Sequence, residues 1–183
     1  MISHRSVSST NQQVSVGHIA INCGYLLFFL LGLLFGPLAY ADAPTLQLTM
    51  TSSVATVAAG TQYTYTIQYQ CASITSSCAA ATVTDVLPAA LSGNSADVSM
   101  VGSAQTTAAT FTTSTRTAKW SFVNPLPAGS TGQLQLSVKF PTGITANGAT
   151  AVNSASMSAT GATTVTSNAV TVTATSTNAW TLS

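Results

Sequence analysis

From residue 45 onward the apolar positions of the chain recur at every second residue. Leu46, Leu48 and Met50 alternate with Thr45, Gln47 and Thr49. Tyr63, Tyr65, Ile67 and Tyr69 alternate with Thr64, Thr66 and Gln68, and Leu134, Leu136, Val138 and Phe140 with Gln133, Gln135, Ser137 and Lys139. Val170 and Val172 alternate with Thr171 and Thr173. Each run has one apolar face and one hydroxyl or amide face, as an antiparallel strand covered on one side requires. Turn residues part the runs: Ala59-Gly60, Leu87-Pro88, Ser92-Gly93-Asn94, Pro125 to Gly129, Pro141-Thr142-Gly143, Ala146-Asn147-Gly148 and Thr160-Gly161. The pattern predicts strands over 45–50, 54–57, 62–70, 80–87, 97–101, 106–112, 117–123, 133–140, 149–159 and 168–175. Residues 102–116 are mostly Ala, Ser and Thr and read either as an edge strand or as a loop. No stretch after residue 41 has a helical stripe. Seven to nine such strands point to an all-β, two-sheet antiparallel β-sandwich over residues 42–177. The large residues available to its core are Trp120, Phe111, Phe122, Phe140 and the tyrosines.

Before this pattern begins, residues 1–41 read as a secretory signal peptide. Arg5 precedes an apolar run from Cys23 to Leu38, and Ala39-Tyr40-Ala41 supplies small residues at the expected cleavage point before Asp42. The run is 16 residues long, short of the roughly 20 that a membrane-spanning helix needs. The rival reading is an uncleaved N-terminal anchor, which makes the membrane a partner through this segment alone. Cys23 opens the apolar run instead of closing it, which argues against a lipoprotein.

Composition narrows the function. The 142 residues after the predicted cleavage point contain 49 Ser or Thr and 25 Ala, with no His and no Glu. Their charges are Arg116, Lys119 and Lys139 against Asp42, Asp85 and Asp97, a formal net charge of zero. Such a surface offers no attraction to nucleic acid or anionic lipid. Without imidazole or glutamate the usual proton-transfer groups are missing, and no Gly-rich phosphate loop is present. Asp85 and Asp97 are the only carboxylates near one another in the chain, too few for a calcium site and without a visible cleft for glycoside cleavage. Asp85 is expected at a strand end or turn before Leu87-Pro88, bonded to backbone amides or hydroxyls. No catalytic residue, cofactor or metal is expected.

Cys71 and Cys78 are the only cysteines after residue 41. In an exported chain an even pair reads as a disulfide, and two cysteines without histidine cannot build a zinc site. An aromatic sugar-binding platform from Tyr63, Tyr65, Tyr69 or Trp120 is the alternative to packing for those residues.

The segment Thr82-Val83-Thr84-Asp85-Val86-Leu87-Pro88-Ala89-Ala90-Leu91 resembles a bacterial cell-surface repeat family, the domain of unknown function eleven. Further pieces fall in the family's order: Ala59-Gly60-Thr61-Gln62-Tyr63, Trp120, Pro125-Leu126-Pro127-Ala128-Gly129, Leu134 to Val138 and Val152-Asn153-Ser154-Ala155. Together they cover most of residues 45–175. The resemblance implies an immunoglobulin-like β-sandwich, often in tandem, in secreted or surface-attached proteins, with no catalytic residues to carry over. The family's opening strand often has Lys where this chain has Thr49 or Met50, which argues against an internal Lys–Asn cross-link.

The expected function is a secreted or cell-surface structural module, a spacer or adhesin-type subunit. Its expected partners are other surface-protein modules or copies of itself joined at strand edges. The alternative is a carbohydrate- or ligand-binding module, marked by a row of exposed aromatics. Residues 178–183 have the form of another opening strand and read as a tail or as the start of a further repeat.

Overall fold

The computed structural model describes residues 42–143 and 148–176. The expected signal peptide with its cleavage residues Ala39 and Ala41, and the segment 178–183, lie outside the described residues. Strands β1 (Leu46–Ser52), β2 (Thr56–Ala58), β3 (Gln62–Cys71) and β4 (Thr82–Val86) come first. A single 3-10 turn, Ser95–Asp97, precedes β5 (Ser99–Val101), β6 (Thr106–Thr112), β7 (Thr117–Phe122) and β8 (Thr131–Lys139). The described residues end with β9 (Thr150–Asn153), β10 (Ala155–Ser158), β11 (Val165–Thr166) and β12 (Val170–Thr175).

Two sheets hold nine of these strands, in the orders β1-β3-β8-β5 and β11-β10-β4-β7-β6, and a small sheet β2-β12-β9 completes the fold. The fold is the expected all-β sandwich, with twelve described strands where seven to nine were expected and one parallel pair, β2 with β12. Residues 102–116 resolve into an edge strand, β6, and the turn after it. The run 149–159 is two strands, not one, broken at Ser154 so that β9 pairs with β12 and β10 with β4. The two-residue β11 and the 3-10 turn lack a period long enough to read.

The core forms where the apolar phases of the two larger sheets meet. Leu46, Leu48 and Met50 of β1, and Tyr63, Tyr65, Ile67 and Tyr69 of β3, are all buried. Leu134, Leu136 and Val138 of β8 face Val83, Trp120 and Phe122 of the opposing sheet in one cluster. Tyr69 of β3 meets Phe122 of β7 across the sandwich, with ring centroids 4.5 Å apart. Gly132 makes this possible: a Cβ there would collide with the Tyr69 ring and its hydroxyl. That hydroxyl hydrogen-bonds Ser103 Oγ at 2.6 Å and donates to Gln105 Oε1 at 2.7 Å. On the outward faces, hydroxyl pairs bridge neighbouring strands at Thr64–Ser137, Thr82–Ser158 and Thr84–Ser156.

Candidate functional site

Asp85 is the most unusual side chain of the core. Val83, Asp85 and Leu87 share one phase, and all three point inward. Asp85 is 1% exposed, so the expected turn or strand-end carboxylate is instead a core residue. Its partner is Asn153 at the end of β9, which is 2% exposed and shares the inward phase of Ala151 and Ala155. Asn153 Nδ2 donates to Asp85 Oδ2 at 2.9 Å. The second oxygen of each, Oδ1 in both, has no partner. Burial pushes the Asp85 carboxyl up to about 7, with the Asn153 bond opposing the shift. A protonated carboxyl carries the O–H donor that Asn153 Oδ1 lacks. A closed acid–amide ring, one hydrogen bond in each direction, then leaves neither residue with an orphaned oxygen.

The surroundings favour the neutral acid. The Tyr63 and Tyr65 hydroxyls, 3.0 Å apart, hydrogen-bond one another in the same core. Both phenols are pushed up, first by burial and also by the nearby Asp85 charge. Among the described residues, no three His, Cys, Asp or Glu side chains come together as metal ligands. Both side chains are buried, and Asn153 also borders a recess of about 300 Å³ together with Thr84, Val152 and Ser156.

Of the two positions weighed for a cross-linking lysine, Met50 is buried in the core at 1% exposure and Thr49 is exposed. The chain has two lysines. Lys119 is exposed opposite Thr84, and Lys139 pairs with Asp97 at 2.7 Å. Neither supplies an amine to Asn153.

Other predicted residues fall as follows. Tyr63, Tyr65, Tyr69 and Trp120 are all buried, at most 4% exposed, so an aromatic platform is ruled out for them. Cys71 and Cys78 form a disulfide with Cα atoms 6.0 Å apart. The ring is pinned to the Pro125–Gly129 turn: Cys78 and Leu126 exchange two backbone hydrogen bonds, and the Gly129 N–H reaches the Cys71 and Ser73 carbonyls. A loop this short contributes about 2.5 kcal/mol by chain entropy. Cys71→Ser should therefore lower unfolding stability by about 1–3 kcal/mol. Unreduced protein should titrate no free thiol at these positions, and finding two there would refute the bond.

Arg116 does more than its sequence position indicates. Its guanidinium donates to the carbonyls of Leu87, Pro88 and Leu91, at 3.2, 2.7 and 2.6 Å, and holds that turn against the sheet. Nothing in the sequence pattern foretold this, because the partners are backbone carbonyls. Asn168 is a second such residue. Its side-chain amide accepts from the Met50 N–H and donates to the Met50 carbonyl, both at 2.9 Å.

One open recess, of about 540 Å³, lies on the outer face of the four-stranded sheet. Gln47 and Thr49 of β1, Gln68 and Gln70 of β3, and Thr131 and Gln133 of β8 line it. Those side chains are uncharged amides and hydroxyls.

No family model matches the sequence, and neither does any curated protein. Solved structures do match. A variant of BcpA, the major pilin subunit of Bacillus cereus, superimposes with a TM-score of 0.55 at 16% identity, over 72% of this chain and 40% of that one. Domains D2 and D3 of the major pilin SpaD from Corynebacterium diphtheriae give 0.51 at 17% identity, over 68% of this chain and 51% of that one. The likeness is one of fold: an immunoglobulin-like β-sandwich. This chain spans about half or less of the length of those pilin chains.

Proposed function

We propose that this chain is an exported, non-catalytic β-sandwich module of the bacterial cell surface, a spacer or adhesin-type subunit of the kind the domain of unknown function eleven supplies. The observation that carries the reading is the commitment of its acids. Asp85 is sealed in the core with Asn153, and Asp97 is tied to Lys139 and Ser92. Beyond residue 41 only Asp42 remains, and the chain has no histidine or glutamate there. No pair of uncommitted carboxyl groups is therefore left for general acid–base work. The fold likeness to pilin subunits supports the same reading, as does the disulfide, which suits an oxidising compartment. Its partners are other surface modules or further copies of the chain.

Labelling of intact cells with an antibody to residues 42–176 tests the localisation. Signal on intact cells is expected, and signal only after lysis would overturn it. The exported form should begin at Asp42 by N-terminal sequencing, and recovery of Met1 or Ile2 from exported protein would refute cleavage.

A second reading rests on the glutamine-lined recess, which replaces the buried aromatics as a candidate ligand surface. Neutral amides and hydroxyls suit an uncharged, hydroxyl-rich ligand such as a neutral glycan. Titrating neutral oligosaccharides while following the Gln68 and Gln133 side-chain amide resonances tests it, and no shift would remove it.

A further inference from the structure

The strand edges of this fold are unequally protected. The two larger sheets end at β1 and β5 and at β11 and β6, and the small one at β2 and β9. β2, β5, β9 and β11 are two to four residues long. Short terminal strands offer little template for pairing. Among the described residues, only β1 and β6, each seven residues, are long edges.

β1 is covered. The Asn168 amide takes both backbone groups of Met50, as a neighbouring strand would. β6 has no such cover. Among the described residues, no backbone N–H or carbonyl of residues 107–112 bonds to anything beyond β7. Its sequence, Thr106-Thr107-Ala108-Ala109-Thr110-Phe111-Thr112, contains no charge, no proline and no glycine. The cations that could guard it are used elsewhere or set back. Arg116 holds the 87–91 turn, Lys139 pairs with Asp97, and Lys119 stands opposite Thr110 on β7, one strand in from the edge.

We infer that β6 is a self-association edge, and that its occupant is β6 of a second copy, paired antiparallel so that the five-stranded sheet runs on through both molecules. The composition selects the identical partner. Any two-fold register sets Thr, Ala and Phe against Thr, Ala and Phe, with no like charges opposed. The two Lys119 residues would stand three strand spacings apart, about 14 Å, beyond the Debye length of about 8 Å in physiological salt. A register shift between Thr106 and Ala108 leaves residues 108–112 as the regular part of the edge, about 17 Å long. Backbone pairing along it cannot bury the roughly 1,200 Å² of a stable dimer, so association is weak and reversible and matters where copies are crowded. The inference rests on edge geometry and holds whether or not the chain reaches the cell surface.

Sedimentation equilibrium on the purified protein tests it. The weight-average mass should climb from monomer toward dimer between about 0.1 and 1 mM. Thr110→Glu places a carboxylate opposite Lys119 within the chain, which preserves the fold, but in the register centred on residues 108–112 it sets two carboxylates directly opposite one another across the two-fold axis. It should weaken association by about tenfold or more, with the thermal midpoint unchanged. An equimolar mixture of Thr110→Glu and Thr110→Lys should restore association. Gln47→Glu, on the covered edge, should leave it as in the unaltered protein. A chain that stays monomeric at 1 mM, or one weakened equally by Gln47→Glu and Thr110→Glu, would overturn the assignment.

Discussion

Stability should fall as pH rises from about 4 to about 8. The Asp85 carboxyl, ordinarily near 3.8, is pushed up to about 7 in the folded protein. The folded state therefore holds its proton more tightly than the unfolded chain does. The stabilising contribution is complete below the unfolded value and is lost as pH rises through the folded one. At 1.36 kcal/mol per pH unit the total loss is about 4 kcal/mol, a large share of the roughly 5–15 kcal/mol that holds a typical domain together. Asp97, held low by Lys139 and Ser92, works in the opposite sense, and only as pH falls below the ordinary carboxylate range. Urea unfolding at a series of pH values would trace the curve. Asp85→Asn should flatten it and raise stability at pH 8, because a second carboxamide supplies the donor that Asn153 Oδ1 needs at every pH. A flat profile for the unaltered protein would show that Asp85 does not titrate in this window.

Removing Trp120 should be the most damaging single change to the core. Its side chain is fully buried on β7, and its indole N–H donates to the Val101 carbonyl of β5 at 3.3 Å, from one sheet to the other. Trp120→Ala loses the transfer energy of the largest core side chain and leaves a cavity and an unpaired carbonyl, at a cost of about 3–5 kcal/mol. Trp120→Phe keeps most of the volume and should cost less than half of that. A denaturation midpoint for Trp120→Ala within error of the unaltered protein would mean that the two sheets are held together elsewhere.

The alternation of side chains made most of this fold legible. Strands β1, β3, β7 and β8 lie within two or three residues of their expected bounds because one face of each is buried, and burial enforces a period of two. The same phase held the clue to Asp85. Standing between Val83 and Leu87, it had to face inward, but the turn chemistry of Leu87-Pro88 drew it to the strand end. Asn153 carries the equivalent signal between Ala151 and Ala155, yet only tertiary structure brings the two inward phases together. Arg116 and Asn168 bond to backbone carbonyls and amides across long sequence separations, for which side-chain patterns hold no code. The tyrosines illustrate the reverse case: strict alternation placed them in the core, and there they are.

The scarcity of charge in this sandwich sets how it responds to dissolved ions. Screening acts on exposed charges, and the described residues contain one ion pair, Lys139–Asp97, itself partly exposed. Such a pair is worth no more than about 1 kcal/mol, so charge screening alone leaves the stability of the fold almost unchanged. The hydroxyl pairs of its outer faces are neutral and indifferent to ionic strength. Acidity reaches the core through a single proton on Asp85, whereas charge screening has almost nothing there to act on.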